Sequence, residues 1–241
     1  MRLDILLAQA HISRKKMKQA LLKKKILVDD CPARKLSQNV DTGLQTITLE
    51  EQPVLGKPHQ YFMMNKPLGV VTANSDAKFQ TVLELIRPED FSEDLYSVGR
   101  LDRDTSGLLL ITDNGPLGFQ LLHPQYHVTK TYEVDVNGLL DDQAVQSFQK
   151  GIVFLDGTSC KPAILTIRSS NPNKSFATVT ISEGKFHQIK KMFLTVGVKV
   201  TSLKRTHFGD LELEPNLAAG EYRALNQAEL EIVRHYLEKS Y

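Results

Sequence analysis

The chain has 241 residues, 41% hydrophobic and 24% charged, the make-up of a folded globular protein of one or two domains rather than a disordered or fibrous one. Its apolar runs, at residues 5–8 and 108–111, fall far short of the roughly 18 residues that cross a bilayer, and its first residues lack a signal-peptide pattern, so a cytoplasmic protein without membrane attachment is expected. The formal charge of +2 hides an asymmetry: residues 1–41 hold ten Lys and Arg against four Asp, a charge of +6, which leaves −4 for the remainder. A basic module on a mildly acidic body is the electrostatic footprint of a polyanionic partner, nucleic acid or anionic membrane.

Along the chain, Leu3, Leu6, Leu7 and Ala10 recur at helical spacing and predict a short helix. Ser13 is a good N-cap for a second, in which Met17, Ala20 and Leu21 make the apolar stripe while Arg14, Lys15, Lys18 and Lys25 fall on more exposed sides. Residues 26–28 read as a strand, 29–32 as a turn and 46–49 as a second strand. Cys31, in that turn, and the distant Cys160 have no partner spacing and no neighbouring histidines, so neither a disulfide framework nor a zinc site is suggested. This module fills residues 1–50; Pro53, Gly56 and Pro58 then punctuate a linker over 51–58. In the body, residues 59–241, strands are predicted at 61–64, 108–111, 130–136, 163–167, 176–181 and 198–203. Helices are predicted at 116–122, 141–150, 187–196 and after Asn226, where Glu229 completes a capping box. Strands outnumber helices without a βαβ rhythm, so the fold class is α+β: a small N-terminal module followed by a body on a mixed, mostly antiparallel sheet.

Three segments carry chemistry. Residues 99–107 form a loop dense in charge and glycine that runs into the apolar strand 108–111 and ends in an Asn114-Gly115 turn. A strand fixes such polar groups while the loop exposes them, although the same composition also describes a surface loop closed by its own Asp and Ser hydrogen bonds. In 130–136, alternation puts Tyr132 on the face of Val134 and Val136, where a buried ring needs a hydroxyl partner or a group to stack on. In 181–193 a strand leads into a helix whose inner face is Ile189, Met192, Phe193 and Val196; Lys190 lies beside that face near the helix start, where the helix dipole offers a cation nothing, and a carboxylate partner is expected.

Two resemblances organise these readings. Arg2-Leu3-Asp4, Ser13-Arg14 and Ile26-Leu27-Val28-Asp29 resemble the S4 RNA-binding domain over residues 1–49, with Lys25 where that family commonly has Gly and Asp30-Cys31-Pro32 in place of a Gly-containing turn. The resemblance implies RNA contacts by Arg2, Arg14, Lys15, Lys18 and Lys25. Asn65-Lys66-Pro67-Leu68-Gly69, residues 99–107, Lys130-Thr131-Tyr132, residues 183–193, Leu203-Lys204-Arg205 and Gly220-Glu221-Tyr222-Arg223 together resemble the pseudouridine synthases, and among them the RsuA class. That class isomerises a uridine in small-subunit ribosomal RNA. The resemblance implies Asp102 as the catalytic aspartate, Tyr132 as the ring stacked on the target base and Lys190 as the cation paired with the aspartate. It implies Leu203 as an apolar wall, Arg100 as a contact to the flipped nucleotide or the RNA backbone, and Arg205 and Gln188 as further substrate contacts. No cofactor and no metal are implied; the partner is 16S ribosomal RNA or a small-subunit assembly intermediate, the target by resemblance uridine 516, and the enzyme a monomer.

The residue types suit that chemistry. The reaction cuts an N-glycosidic bond, turns the base and joins C5 to C1′, with no redox step or phosphate donor. An ionised carboxylate can add to the base or sugar, or move a proton as a glycal forms. A lysine within hydrogen-bond reach would hold it charged once water is excluded. Relatives acting on large-subunit RNA tend to carry Asn where Asp104 stands and Asn-Arg where Phe186-His187 stands, which favours the small-subunit class; a 23S target is the alternative within the family. Two readings come from other classes: a non-catalytic RNA-binding assembly factor, which would have no chemical need for Asp102, Tyr132 and Lys190 together, and a hydrolase using Asp102 and Asp104 as paired carboxylates, expected about 6–7 Å apart at Cα on an extended chain. Release of free uracil would identify the last.

Overall fold

The structure is a computed structural model that describes residues 1–238; residues 239–241, to which the expected body extends, lie outside the described residues. In chain order the elements are α1 (Leu3–Gln9), α2 (Arg14–Leu22), β1 (Ile26–Val28), β2 (Cys31–Pro32), β3 (Ile47–Leu49), β4 (Gln52–Pro53), β5 (Tyr61–Lys66), β6 (Tyr96–Val98) and β7 (Ser106–Thr112). They continue with α3 (Gly115–Leu122), β8 (Lys130–Val136), α4 (Asp142–Lys150), β9 (Ile164–Ser170), β10 (Ser175–Ile181), α5 (Gln188–Thr195), β11 (Val200–Phe208), β12 (Leu211–Glu212), β13 (Tyr222–Ala224) and α6 (Gln227–Glu238). No described helix is long and apolar enough to cross a membrane. Among the described residues two compact units result, interleaved in sequence: residues 1–62 with 112–121 and 224–238, and residues 63–111 with 122–223.

In the first unit, Leu3, Leu6 and Leu7 of α1 meet Met17 and Ala20 of α2, Ile26 and Val28 of β1, and Ile47 and Leu49 of β3 in one apolar core. The periodic spacing that predicts both helices is the spacing of these buried residues. Ser13 caps α2, its hydroxyl accepting from the Lys16 amide at 3.3 Å. The small sheet runs β2-β1-β3-β4, and its two tight turns contain no glycine. Asp29-Asp30 (φ 49° and 61°) joins β1 to β2 and Glu50-Glu51 (φ 52° and 69°) joins β3 to β4, the left-handed pair that a two-residue hairpin requires. The turn expected over 29–32 is therefore confined to two residues, because Cys31 and Pro32 already pair with β1. Residues 52 and 53 of the expected linker likewise pair with β3.

Helix α2 ends the same way. Lys24 is left-handed (φ 53°), its amide donates to Leu21 O and the Lys25 amide to Ala20 O, the Schellman arrangement usually built on Gly. Lys24, not Lys25, occupies the glycine-like position. Farther along, Asn114-Gly115, expected as the turn that closes the strand ahead of the helix over 116–122, is already the start of that helix, α3. Asn114 accepts from the Leu117 amide at 3.2 Å and donates to the Tyr61 hydroxyl at 2.7 Å, which in turn donates to Asp41. At α6 the capping box forms as expected, Asn226 and Glu229 each donating an amide to the other's side chain at 2.8 and 3.0 Å.

The large sheet has the order β13-β5-β7-β11-β8-β10-β9, with β12 added to β11 and β6 to β7. The fold is α+β with a mostly antiparallel sheet, as expected. Within it β11 runs parallel to β7, with Lys204 opposite Ser106 and Arg205 opposite Gly107. A Cβ on Gly107 would lie 2.2 Å from Arg205 O, and its φ is 104°, so no other residue fits. The core joins Val134 and Val136 of β8, Ala177 and Val179 of β10, Phe148 of α4, and Ile189, Met192 and Phe193 of α5.

A left-handed backbone costs a side-chain-bearing residue roughly 1–2 kcal/mol, against about 0.5–1 kcal/mol for the extra unfolded-state freedom of Gly. Lys24→Gly is therefore expected to raise stability by up to about 1 kcal/mol in urea unfolding; a loss of stability would show that Lys24 is not strained.

Candidate active site

The loop before β7 folds into a tight turn in which the Thr105 amide donates to Asp102 O at 3.0 Å. It is clamped from three sides. The Thr72 hydroxyl donates to Leu101 O at 2.9 Å and accepts from the Leu101 amide at 3.2 Å. The Gly69 amide donates to Arg103 O at 2.8 Å. Lys66, fully buried at the end of β5, donates from Nζ to Thr105 O and Pro67 O, each at 2.9 Å. Burial pushes the Lys66 ammonium down to about 8 although Asp102 and Asp104 pull it upward. A neutral amine still has two N–H donors, enough for both carbonyls. Lys66 belongs to the Asn65–Gly69 motif, but nothing in its sequence context shows a buried cation under the turn.

Above the turn, Lys190 reaches out of the first turn of α5. Its Nζ lies 2.9 Å from Asp102 Oδ2 and 2.5 Å from Asp104 Oδ1, which is the carboxylate partner the sequence required. Partial burial lowers the Lys190 ammonium, but the hydrogen bonds and charges of both aspartates outweigh this and raise it. The Lys190 hydrogen bond is the main reason that the Asp104 carboxyl sits below the usual range. Asp102 and Asp104 are brought together by a turn rather than an extended strand, so both face one cation.

Tyr132 lies on the inner face of β8, between Arg205 of β11 and Val179 of β10 in register, and is buried in the same cluster as Leu101 and Leu203. Leu203 is opposite Val134. Through β11, then, Tyr132 is two strands from Gly107, and the turn bearing Asp102 opens onto that same end of the sheet. Arg100 is exposed beside the turn.

Two expected substrate contacts are placed differently. Arg205 is only 1% exposed; its Nε donates to Leu108 O at 2.7 Å and its guanidinium lies 5.0 Å from the centre of the Phe208 ring, so it fastens β11 to β7. One of its terminal nitrogens, Nη2, is buried without a partner. Gln188 is 3% exposed, accepting from the Lys185 amide and donating to Glu183 Oε1, both at 2.8 Å. It braces the loop ahead of α5 because its side chain turns inward from the helix start. Near Arg205, Lys130 is pushed down to about 8 by burial and then by the Arg205 charge.

One residue near the carboxylate was missed. His187, left-handed (φ 52°) just ahead of α5, has Nε2 at 3.6 Å from Asp102 Oδ2. Its place in the strand-to-helix loop and its place in the Phe186-His187 pair that favours the small-subunit class were the signals, and neither fixes a direction for the ring. No group of three or more His, Cys, Asp or Glu among the described residues could hold a metal ion.

Comparison with known proteins gives consistent matches. Residues 60–195 match the family described as RNA pseudouridylate synthase. An uncharacterised RNA pseudouridine synthase of Bacillus subtilis is 39% identical over 97% of this chain and 98% of its own length. The ribosomal small subunit pseudouridine synthase A of Yersinia pestis is 36% identical over 95% and 97%. A crystal structure of a pseudouridylate synthase superposes with a TM-score of 0.68 at 32% identity, covering 97% of this chain and 99% of that one.

The buried lysine makes stability depend on alkaline pH. Its folded value, about 8, lies below the ordinary 10.5. Between the two, the unfolded chain holds a proton that the folded chain has released, so stability rises with pH across this window and the penalty is fully present below it. Urea unfolding from pH 7 to 10.5 should show this rise in the wild type and a smaller one in Lys66→Met, Lys130 supplying the remainder; equal slopes would place the Lys66 charge in a solvated environment.

Proposed function

Because the chain belongs to the RNA pseudouridylate synthase family, whose activity is the isomerisation of uridine in RNA to pseudouridine, we propose that its substrate is 16S ribosomal RNA, alone or in a small-subunit assembly intermediate, with uridine 516 as the target. We assign Asp102 as the catalytic carboxylate, Lys190 as its counter-ion and Tyr132 as the stacking ring. The observation that carries this reading is the 2.9 Å contact between Lys190 Nζ and Asp102 Oδ2, made across 88 residues of sequence.

In the reaction the C1′–N1 bond breaks, the base turns, C5 bonds to C1′, and the C5 proton leaves as N1 gains one. Atoms and electrons balance without an external donor. The Asp102 carboxylate can serve by adding to the base or sugar or by moving the proton of a glycal, and in each route its charge changes next to Lys190, whose ammonium is held there by two carboxylates. A uridine in folded RNA must first be extruded, at a cost of a few kcal/mol that stacking on Tyr132 and phosphate contacts offset. Arg100, exposed beside the turn, is placed for such a contact, and Leu203 for packing on the base. Arg205 would act by holding the strand opposite Tyr132, with its unpartnered nitrogen as the group left for substrate. Gln188 supports the loop. The hydrolase reading is disfavoured because Asp102 and Asp104 oppose one another across a cation rather than across a scissile bond.

Residues 1–50 are the RNA anchor in this reading, by the S4-like pattern of their sequence. Arg14, Lys15, Lys18 and Lys25 are exposed and form no ion pair among the described residues, whereas Arg2 is held by Asp4 at 2.7 Å. Free cations on one helix and the turn after it suit phosphate contacts, each of which releases counterions.

With 16S RNA and ribosomal proteins, the wild type should form one pseudouridine without added cofactor and Asp102→Asn none, a fall of at least about a thousandfold; product from Asp102→Asn would remove the assigned role, and product on 23S RNA alone would move the substrate. Replacing Arg14, Lys15 and Lys18 together by Gln should weaken RNA binding and reduce the slope of log K against log salt by about two to three. An unchanged slope would place the RNA elsewhere.

A further inference from the structure

The loop from β10 into α5 carries an aromatic pair that the reaction above does not use. Phe186 is 73% exposed, and its ring lies on the His187 imidazole with centroids 3.8 Å apart and planes 20° from parallel. An open phenyl ring on a slack loop would mean little, but this loop is braced. Buried Gln188 ties Glu183 to Lys185, and Lys185 Nζ donates to Ser159 O at 2.5 Å. His187 keeps a left-handed backbone immediately before the helix. The inner ring of the pair lies beside Asp102, with His187 Nε2 3.6 Å from Asp102 Oδ2. A cation lies near the outer ring: Lys191 Nζ is over the rings of Phe186 and Phe154, 5.9 and 5.3 Å from their centroids, and 3.7 Å from Asp156 Oδ2.

A rigidly presented, exposed ring with a cation within about 6 Å is an arrangement that takes an unpaired base by stacking and draws its phosphate. Extruding one uridine also strips stacking from the bases next to it, and a base so exposed needs a new surface close to the site. We propose that Phe186, backed by His187, is a stacking platform for the base adjacent to the target uridine in the RNA strand. The proposal rests on the assignment of Asp102 as the centre where uridine is isomerised.

The test compares wild type, Phe186→Leu and Phe186→Tyr on ligated 16S RNA that carries either the natural base or an abasic residue on each side of the modified uridine, with and without ribosomal proteins. Phe186→Leu should raise KM about 5- to 150-fold, the range one stacked base commands, with kcat within about threefold and Phe186→Tyr restoring KM. An abasic residue on one side should raise the wild-type KM by a similar factor and leave that of Phe186→Leu nearly unchanged. The platform is overturned if the Leu variant keeps the wild-type KM, if Tyr fails to rescue it, if abasic residues act equally on both proteins, or if the loss needs ribosomal proteins, which would make Phe186 a protein contact. Absence of pseudouridine from the wild type on every RNA would overturn the site assignment itself, and the platform with it.

Discussion

Strand β11 can lie against β7 because residue 107 has no Cβ; any side chain there would strike the backbone of Arg205. That close approach sets the register of the parallel β7–β11 pair, Gly107 opposite Arg205, and β11 in turn pairs antiparallel with β8 through Arg205 and Tyr132. The turn that holds Asp102 and the strand that holds Tyr132 are thus referred to one strand between them. The buried Arg205 guanidinium, bonded to Leu108 O, locks the same junction with a charge-assisted hydrogen bond. A backbone vacancy of one methyl group therefore underlies the geometry of the whole site.

Around the turn the cations divide by surroundings. Lys66 lies beneath it, away from water, and bonds two carbonyls; burial makes its neutral form accessible near pH 8, and its work is mechanical. Lys190 lies above it against two carboxylates that hold its proton firmly. Asp104, although largely exposed, gives the Lys190 ammonium a second carboxylate partner and helps to hold its proton.

The N-terminal module shows a different economy. Its two hairpin turns and the end of its second helix require left-handed backbone, and Asp29, Asp30, Glu50, Glu51 and Lys24 supply it without glycine. Asp30, Glu50, Glu51 and Lys24 are exposed there, whereas Asp29 is half-buried, accepting from the Thr46 amide and paired with Arg234 at 3.0 Å. The charge of Lys24 adds to the exposed cations of α2.

Helices and strands were largely legible in the sequence because their signals are local. Alternation located β8, three-and-four spacing located α1 and α5, and the Ser13 and Asn226 caps marked helix starts whose side chains do accept the backbone amides. The short strands β6, β12 and β13 are too brief for any period, and Asn114-Gly115 misled because Asn serves equally as a turn residue and as a helix cap. Within the site, residue types and the need of Lys190 for a carboxylate could be read from the chain alone. Which carboxylates it meets, that a turn gathers them, that Lys66 is buried under it, that Arg205 and Gln188 turn inward and that His187 reaches Asp102 were decided by tertiary structure. These depend on distances between residues far apart in sequence, set by strand register and backbone approach, and local patterning carries no record of either.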